Sequence, residues 1–300
     1  AAPTTILVAQ AHVPQTDADT VLMARVWNDG YEKLKSRRVE RPGNQLPEVL
    51  RAFSQFRQEQ KVESELATTI PGAKLKAGTE WSPQEWLSQP HVLASAVEAQ
   101  QEAAIRSLYQ AVAHFPELAD EVLDDFGFEN PDLPTLPTNE YGKISDFFEI
   151  VNGRSVGEKN YADGSIPYIS SGDASNSIIR LVAPVEGEVF ESGAITVTAF
   201  GSACVQPWPF MARGNGGSAV RVLIPKYDMS FKELTWFAAQ INLQRWRFFY
   251  ARMAIKSRIV RLEVEAPPAR MPNDGYNIAD NVREFRGTLD RFSALHPLEA

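Results

Sequence analysis

Between Arg245 and Arg261 the chain reads RWRFFYARMAIKSRIVR, in which Arg245, Arg247, Arg252, Lys256, Arg258 and Arg261 stand among Trp246, Phe248, Phe249 and Tyr250 with no acidic residue. Guanidinium and ammonium groups meet phosphate oxygens, and flat side chains pack or stack beside them, so this spacing suits a nucleic-acid face. Four rings in a row cannot all face a ligand, and at least half of them belong in a core. Residues of similar chemistry lie upstream: Arg154, Lys159, Ser170, Ser171 and Asn176, then Arg213 and Asn215 in the turn Arg213-Gly214-Asn215-Gly216-Gly217. Arginine can grip a guanine edge with two hydrogen bonds, asparagine an adenine edge, and lysine suits phosphate. Asn215 has a second reading, since a Gly-Asn-Gly-Gly turn uses asparagine for its backbone conformation. The expected DNA-contacting set is therefore these seven residues with Arg245, Arg247, Arg252, Lys256 and Arg258.

Other chemistries are missing. His12, His91, His114 and His296 are scattered, and none falls within 139–270, which argues against a histidine-based triad or zinc site there. Cys204 is the one cysteine, so no internal disulfide exists, and it reads as a small buried strand residue. No catalytic residue and no metal ligand is assigned.

A net charge of −8 looks wrong for a DNA binder until it is divided. Residues 1–138 hold 12 Lys and Arg against 20 Asp and Glu, residues 139–270 hold 15 against 13, and 271–300 hold 3 against 5. The acidity sits in the front, and the second half keeps its basic cluster. No apolar run approaches the roughly 18 residues of a membrane span. The opening AAPTTILVAQ has neither an initiator Met nor a basic, cleavable leader pattern. Together with the single cysteine, these point to a cytoplasmic piece of a longer protein.

Several elements must position these residues. Thr5–Gln10 and Thr20–Trp27 are apolar, β-branched runs that read as strands. Asn28-Asp29-Gly30 makes a turn before the basic stretch YEKLKSRRVERPGNQ and a helical LPEVLRAFSQFRQEQ. Ser82, Pro83 and Glu85 start a second helix, with Trp81 and Trp86 as a hydrophobic staple. HVLASAVEAQQEAAIRSLYQAVAHF repeats Leu93, Val97, Ala104, Leu108, Val112 and Phe115 at helical spacing, interrupted by Gln101. Pro131, Pro134 and Pro137 mark a linker. Beyond it, strands are expected at Ile166–Ser170, Ile178–Val182, Ala194–Phe200, Ala203–Gln206 and Ala219–Ile224. A helix capped by Ser230 and Glu233 follows, then a last strand at Arg258–Val264.

Two resemblances follow from these residues. The strands with NDGYEKLKSRRVERPGNQLPEVLRAF, about residues 5–55, resemble the end of the catalytic domain in N6-adenine DNA methyltransferases of the type I modification-subunit family. No (N/D/S)PP(Y/F/W) motif and no Gly-rich cofactor loop is present; the family places both upstream. The stretch from Phe148 to Pro267 resembles the target-recognition domain of type I restriction specificity subunits. Its matching pieces are F.I.NG.S at Phe148–Ser155, G.IPYISSGD…N at Gly164–Asn176, ITV…G at Ile195–Gly201, and the segment Arg247–Pro267. Specificity subunits carry two such domains, and one is present here, which favours a methyltransferase–recognition fusion.

The expected fold class is the α/β end of a methyltransferase fold (1–60) and a helical connector with its Pro-rich linker (61–138), followed by an α+β target-recognition domain (139–270) and a helical tail (271–300) packed on the connector. The resemblance implies sequence-specific recognition of double-stranded DNA within a restriction–modification system that serves phage defence. It also implies a methyltransferase catalytic domain in cis or in trans, a restriction subunit as partner, and S-adenosylmethionine only in the intact enzyme. This chain alone is expected to be non-catalytic and to involve no membrane. The alternative is a protein-interaction or carbohydrate-binding β module whose basic cluster contacts an acidic partner.

Overall fold

The computed structural model describes residues 14–26, 28–33, 37–59, 62, 64–75, 81, 83–87, 94–121, 130, 132–172, 174–272 and 278–295. The strand expected at Thr5–Gln10 and the capping Ser82 lie outside them. The chain divides into two compact units, Thr4–Val92 and Leu93–Ala300.

In the first unit, β1 (Thr20–Ala24) is followed by a hairpin of β2 (Tyr31–Lys33) and β3 (Arg38–Glu40). Next come α1 (Leu46–Glu59), β4 (Ala67–Pro71) and α2 (Pro83–Leu87). β1 pairs antiparallel with β4, Val21 opposite Ile70. Met23, Ile70 and Leu75 form a small core against which Val21 and Trp86 pack. Both strand pairs of this unit among the described residues are antiparallel, so the parallel pairing of an α/β domain is not displayed here.

The second unit opens with the long helix α3 (Ala94–His114), the short α4 (Leu118–Glu121), β5 (Tyr141–Lys143) and α5 (Ile144–Phe147). Seven strands follow: β6 (Phe148–Asn152), β7 (Asp163–Ile169), β8 (Ile178–Val182), β9 (Val189–Phe190), β10 (Ala194–Val197), β11 (Ala203–Gln206) and β12 (Phe210–Ala212). The chain ends with β13 (Arg221–Pro225), α6 (Phe231–Leu243), α7 (Lys256–Ile259), β14 (Glu263–Glu265) and α8 (Ile278–Leu295).

Two four-stranded sheets organise it. One runs β11-β10-β13-β6, all antiparallel; the other runs β8-β7-β12-β9, with β12 parallel to β7. α6 is buried around almost its whole circumference, as a helix lodged between layers must be. It packs against β10 and β11 on one side and α3 on another, and Phe237 meets Phe147 at 5.0 Å and Phe148 edge-on at 5.2 Å. Its start is the expected box: Glu233 N donates to Ser230 Oγ, and Ser230 N donates to Glu233 Oε2. Gln101, the polar break in α3, donates from Nε2 to Lys232 O and Thr235 Oγ1, so it ties α3 to the first turns of α6. α8 lies along α3, where the rings of Tyr109 and Phe285 meet tilted at 4.8 Å.

Three expectations change. Arg258–Val264 is not one strand. Ile259 N and Val260 N donate to Ile255 O and Lys256 O, making the helical turn α7, and only Glu263–Glu265 is extended. Ile259 and Leu262 are both buried three residues apart, a helical spacing that the neighbouring Val260 and Val264 disguise as alternation. The Pro-rich segment, whose Pro131 lies outside the described residues, is docked from Pro134 to Asn139: Asp228 N donates to Pro134 O, Leu136 is buried, and Asn139 donates from its backbone N to Pro267 O and from its side chain to Pro268 O. β2, β3, β4, β5, β6, β9 and β12 are strands that the sequence does not lead one to expect.

Candidate nucleic-acid interface

Strand register gathers most of the expected contact residues at one end of the antiparallel sheet. Ala203 pairs with Val197, Val197 with Arg221, and Arg221 with Asn152, so these four residues form one row across the sheet. Three segments leave beyond that row: the β10–β11 turn (198–202), the chain running into β13 (213–220), and the chain following β6 (153–160).

The basic and aromatic segment is tied to the first of these. Arg245 Nε donates to Phe200 O at 3.2 Å, and Ala254 N donates to Ala199 O at 2.8 Å. Gly201 takes φ +78°, and a side chain there would strike the ring of Phe248, which is buried. Phe249 and Arg252 then close a tight turn through backbone hydrogen bonds in both directions, with Tyr250, 86% exposed, at its tip. Trp246 is half-buried, with the Arg247 guanidinium 5.1 Å from its ring centre. Lys256 begins α7 exposed, and Arg258 Nη1 donates to Met253 O at 2.8 Å. The four rings thus divide into Phe248 in the core, Trp246 at the boundary, and Phe249 and Tyr250 outside.

The other two segments cross each other at close quarters. Ser155 N donates to Ala212 O, Gly214 N to Ser155 O, and Gly153 N to Val220 O. The crossing leaves no room for a side chain on Gly153 or Gly214, which is the physical content of the NG.S motif. Arg213 sits at this junction, its Nε donating to Asn215 O and its guanidinium 3.8 Å from Glu158. Arg213 N also donates to Ile169 O, so the end of β7, Ser170 and Ser171 lie beside it. Ser170 is buried, and the hydroxyl of Ser171 is buried without a hydrogen-bond partner among the described residues. Arg154 is exposed but lies over the Phe190 ring at 4.1 Å, and donates to Val189 O at 3.2 Å. Lys159 and Asn215 are exposed.

A pair of tyrosines floors this corner. Tyr168 is fully buried and donates to Val156 O; burial pushes its phenol up to about 12, the Arg213 charge opposing and Tyr161, Glu158 and Glu188 adding. Tyr161 donates to Glu188 Oε2 at 2.6 Å, and burial followed by that carboxylate raises its pKa as well.

Asn176 is a correction. It is 2% exposed, and its amide donates to Val205 O at 2.7 Å and Gln206 Oε1 at 3.0 Å, while its backbone N donates to Ser107 Oγ. Ser175, Asn176 and Ser177 all have positive φ (50°, 56°, 63°), a left-handed turn costing roughly 1–2 kcal/mol per residue. Asn176 holds that turn in place and presents nothing to a base edge.

Arg221 was missed. It stands at the end row of the sheet, half-buried, and desolvation lowers its pKa. Nη1 bonds only the adjacent Val220 O, and Nε has no hydrogen-bond partner among the described residues. The signal was available: one arginine inside the apolar run AVRVLIP. Among the described residues no cluster of His, Cys, Asp and Glu could hold a metal ion, and no helix is long and apolar enough to cross a membrane.

Three solved structures are similar to this chain. One is the S subunit of a type I restriction–modification system from M. genitalium, 12% identical with TM-score 0.34, over 76% of this chain and 59% of that one. A second is the HsdS subunit from Thermoanaerobacter tengcongensis, 15% identical with TM-score 0.32, over 77% and 55%. A third comes from work on complex assembly and conformational transition of the type I R-M system, 17% identical with TM-score 0.32, over 67% and 53%. The chain spans between 53% and 59% of the length of these proteins. No family model matches it, and no curated protein does.

Proposed function

We propose that residues 139–270 read double-stranded DNA within a restriction–modification protein. The observation that carries this is the row Val197–Arg221–Asn152, beyond which the basic and aromatic segment, Arg213, Asn215, Arg154 and Lys159 all emerge at one end of one sheet. Clustered cations hold the duplex through its phosphates, while side chains on rigid turns inspect base edges. Arg213, Asn215, Arg247 and Arg252 are the residues we assign to base reading, and Lys159 and Lys256 to phosphate. Arg221 joins them as a desolvated cation at the floor.

The duplex so positioned would be presented to an adenine-N6 methyltransferase domain, in cis or in trans, which takes the target adenine out of the stack. S-adenosylmethionine would supply the methyl group in that domain. This chain has neither a Gly-rich loop nor an (N/D/S)PP(Y/F/W) motif for that chemistry, and its own residues only bind and orient. A restriction subunit is the further partner this reading implies.

Fluorescence anisotropy of the full chain with a random-sequence duplex pool, across a salt series, tests the reading. Binding should weaken steeply with salt, and the variant R245A/R247A/R252A/R258A should lose it while keeping its folded circular-dichroism spectrum. A folded wild-type chain that fails to bind at low salt would leave the cluster as a surface for an acidic protein.

A further inference from the structure

The basic stretch after the first turn plays no part in the reading above. It forms a two-stranded antiparallel ribbon in which Tyr31 pairs with Glu40, Glu32 with Val39 and Lys33 with Arg38. All three residues of β3 are exposed, as are Arg37 and Arg41 on either side of it. Alternation sends Arg38 and Glu40 to one face and Val39 to the other. Val39 is 40% exposed and Tyr31, opposite Glu40, 46%, so neither face is covered.

Such a ribbon gains little from apolar burial and must be held another way. Its base is laced by backbone and amide bonds. Arg41 N donates to Gly30 O, Asn28 Nδ2 to Pro42 O, Gly30 N to Asn28 Oδ1, and Gln45 N to Asn28 O, all between 2.8 and 3.0 Å. The fold therefore fixes the base and leaves β3 out in solvent. Their charge is unusual for this half of the chain. Residues 31–41 carry Lys33, Lys35, Arg37, Arg38 and Arg41 against Glu32 and Glu40, whereas 1–138 as a whole has 12 cations to 20 acids. No carboxylate pairs with Arg37, Arg38 or Arg41 among the described residues.

We propose that the β2–β3 ribbon is a second phosphate-binding element, which grips the backbone of duplex DNA through Arg37, Arg38 and Arg41 without reading its sequence. The proposal rests on the DNA-binding reading of the recognition half. A two-stranded ribbon is an element that the major groove of B-DNA admits, and guanidinium forks match phosphate oxygens. Acids are few on the ribbon, and Arg37, Arg38 and Arg41 have no carboxylate partner among the described residues to give up.

The test is anisotropy of the full chain and of R37A/R38A/R41A on a random-sequence duplex and on a site selected by the wild-type chain. Three lost phosphate contacts should reduce the slope of log affinity against log salt by about 2.7. Between 50 and 200 mM salt the wild type would then lose about 40-fold more affinity than the variant. The weakening should be equal on both duplexes, and R37K/R38K/R41K should restore the slope. R37Q/R38Q/R41Q serves if the alanine variant does not fold. A slope unchanged in the neutral variants, or a loss confined to the selected site, overturns the proposal. Wild-type protein that binds no duplex at all overturns instead the reading on which it rests.

Discussion

The Cβ that Gly214 lacks would lie 2.0 Å from the carbonyl oxygen of Gly153. Two chain segments carrying expected DNA contacts thus touch backbone to backbone, and their spacing is set by the absence of two side chains. Gly214→Ala should destabilise the chain by about 1–3 kcal/mol, the usual range for overpacking, because backbone rather than a flexible side chain has to move. Urea denaturation checks this, and an unchanged midpoint would show that the crossing is looser than described.

Asn176 offers a test of burial against contact. Asn176→Ala removes two buried hydrogen bonds and leaves alanine at φ 56°, so a loss of about 2–3 kcal/mol is expected. Asn176→Gly relieves the backbone and should lose less. Duplex affinity per folded molecule should be the same in wild type and both variants; a selective loss of affinity would return Asn176 to the interface.

Phe248 and Tyr250 are two residues apart and should behave oppositely. Phe248→Ala empties a buried site against Gly201 and should cost about 3–5 kcal/mol of stability. Tyr250→Ala should leave stability within about 0.5 kcal/mol, as an exposed turn tip allows. It should weaken duplex binding by about 1 kcal/mol or more, roughly fivefold, since an exposed phenol can donate to a phosphate oxygen. Thermal melts paired with anisotropy separate the two effects.

Alkaline pH should unlock the tyrosine corner. A phenol ordinarily ionises near 10, and burial moves Tyr168 to about 12. The folded state therefore keeps a proton that the unfolded chain releases. The resulting stability is fully present below about pH 10 and is lost as pH rises through about 12. Melting temperature measured from pH 9 to 12 should fall across that interval, and Tyr168→Phe should flatten part of the fall, with Tyr161 and Tyr109, both also raised, adding to the rest. Equal slopes in wild type and variant would exclude Tyr168 as the source.

Local signals in the sequence were readable. The Ser230 and Glu233 box is visible in four residues because both partners are local, and the bounds of β8 and β11 follow from short apolar runs. Cys204 is buried in a strand, as its isolation suggests. What escaped depends on partners far along the chain. Glu233 also accepts from Arg270 Nε and from Met271 N, a clamp that no spacing announces. Asn176 looks like a loop amide until β11 closes over it. Arg154 looks like a solvated cation until Phe190 arrives beneath it. The cluster at the sheet end was legible as a composition, but the row that assembles it needed the register of four strands.

β5 and β14 pair Tyr141 with Glu265, and Asn139 bonds Pro267 and Pro268. The polypeptide thus comes into the recognition half and leaves it at a single seam, while α3 before the seam and α8 after it run side by side. Residues 139–268 therefore begin and end side by side, at one hydrogen-bonded strand pair. Any sequence spliced in at that pair would have to keep Thr235 and the Lys232 carbonyl within reach of Gln101, a backbone N–H for Ser107, and a carboxylate for Arg270 and Met271.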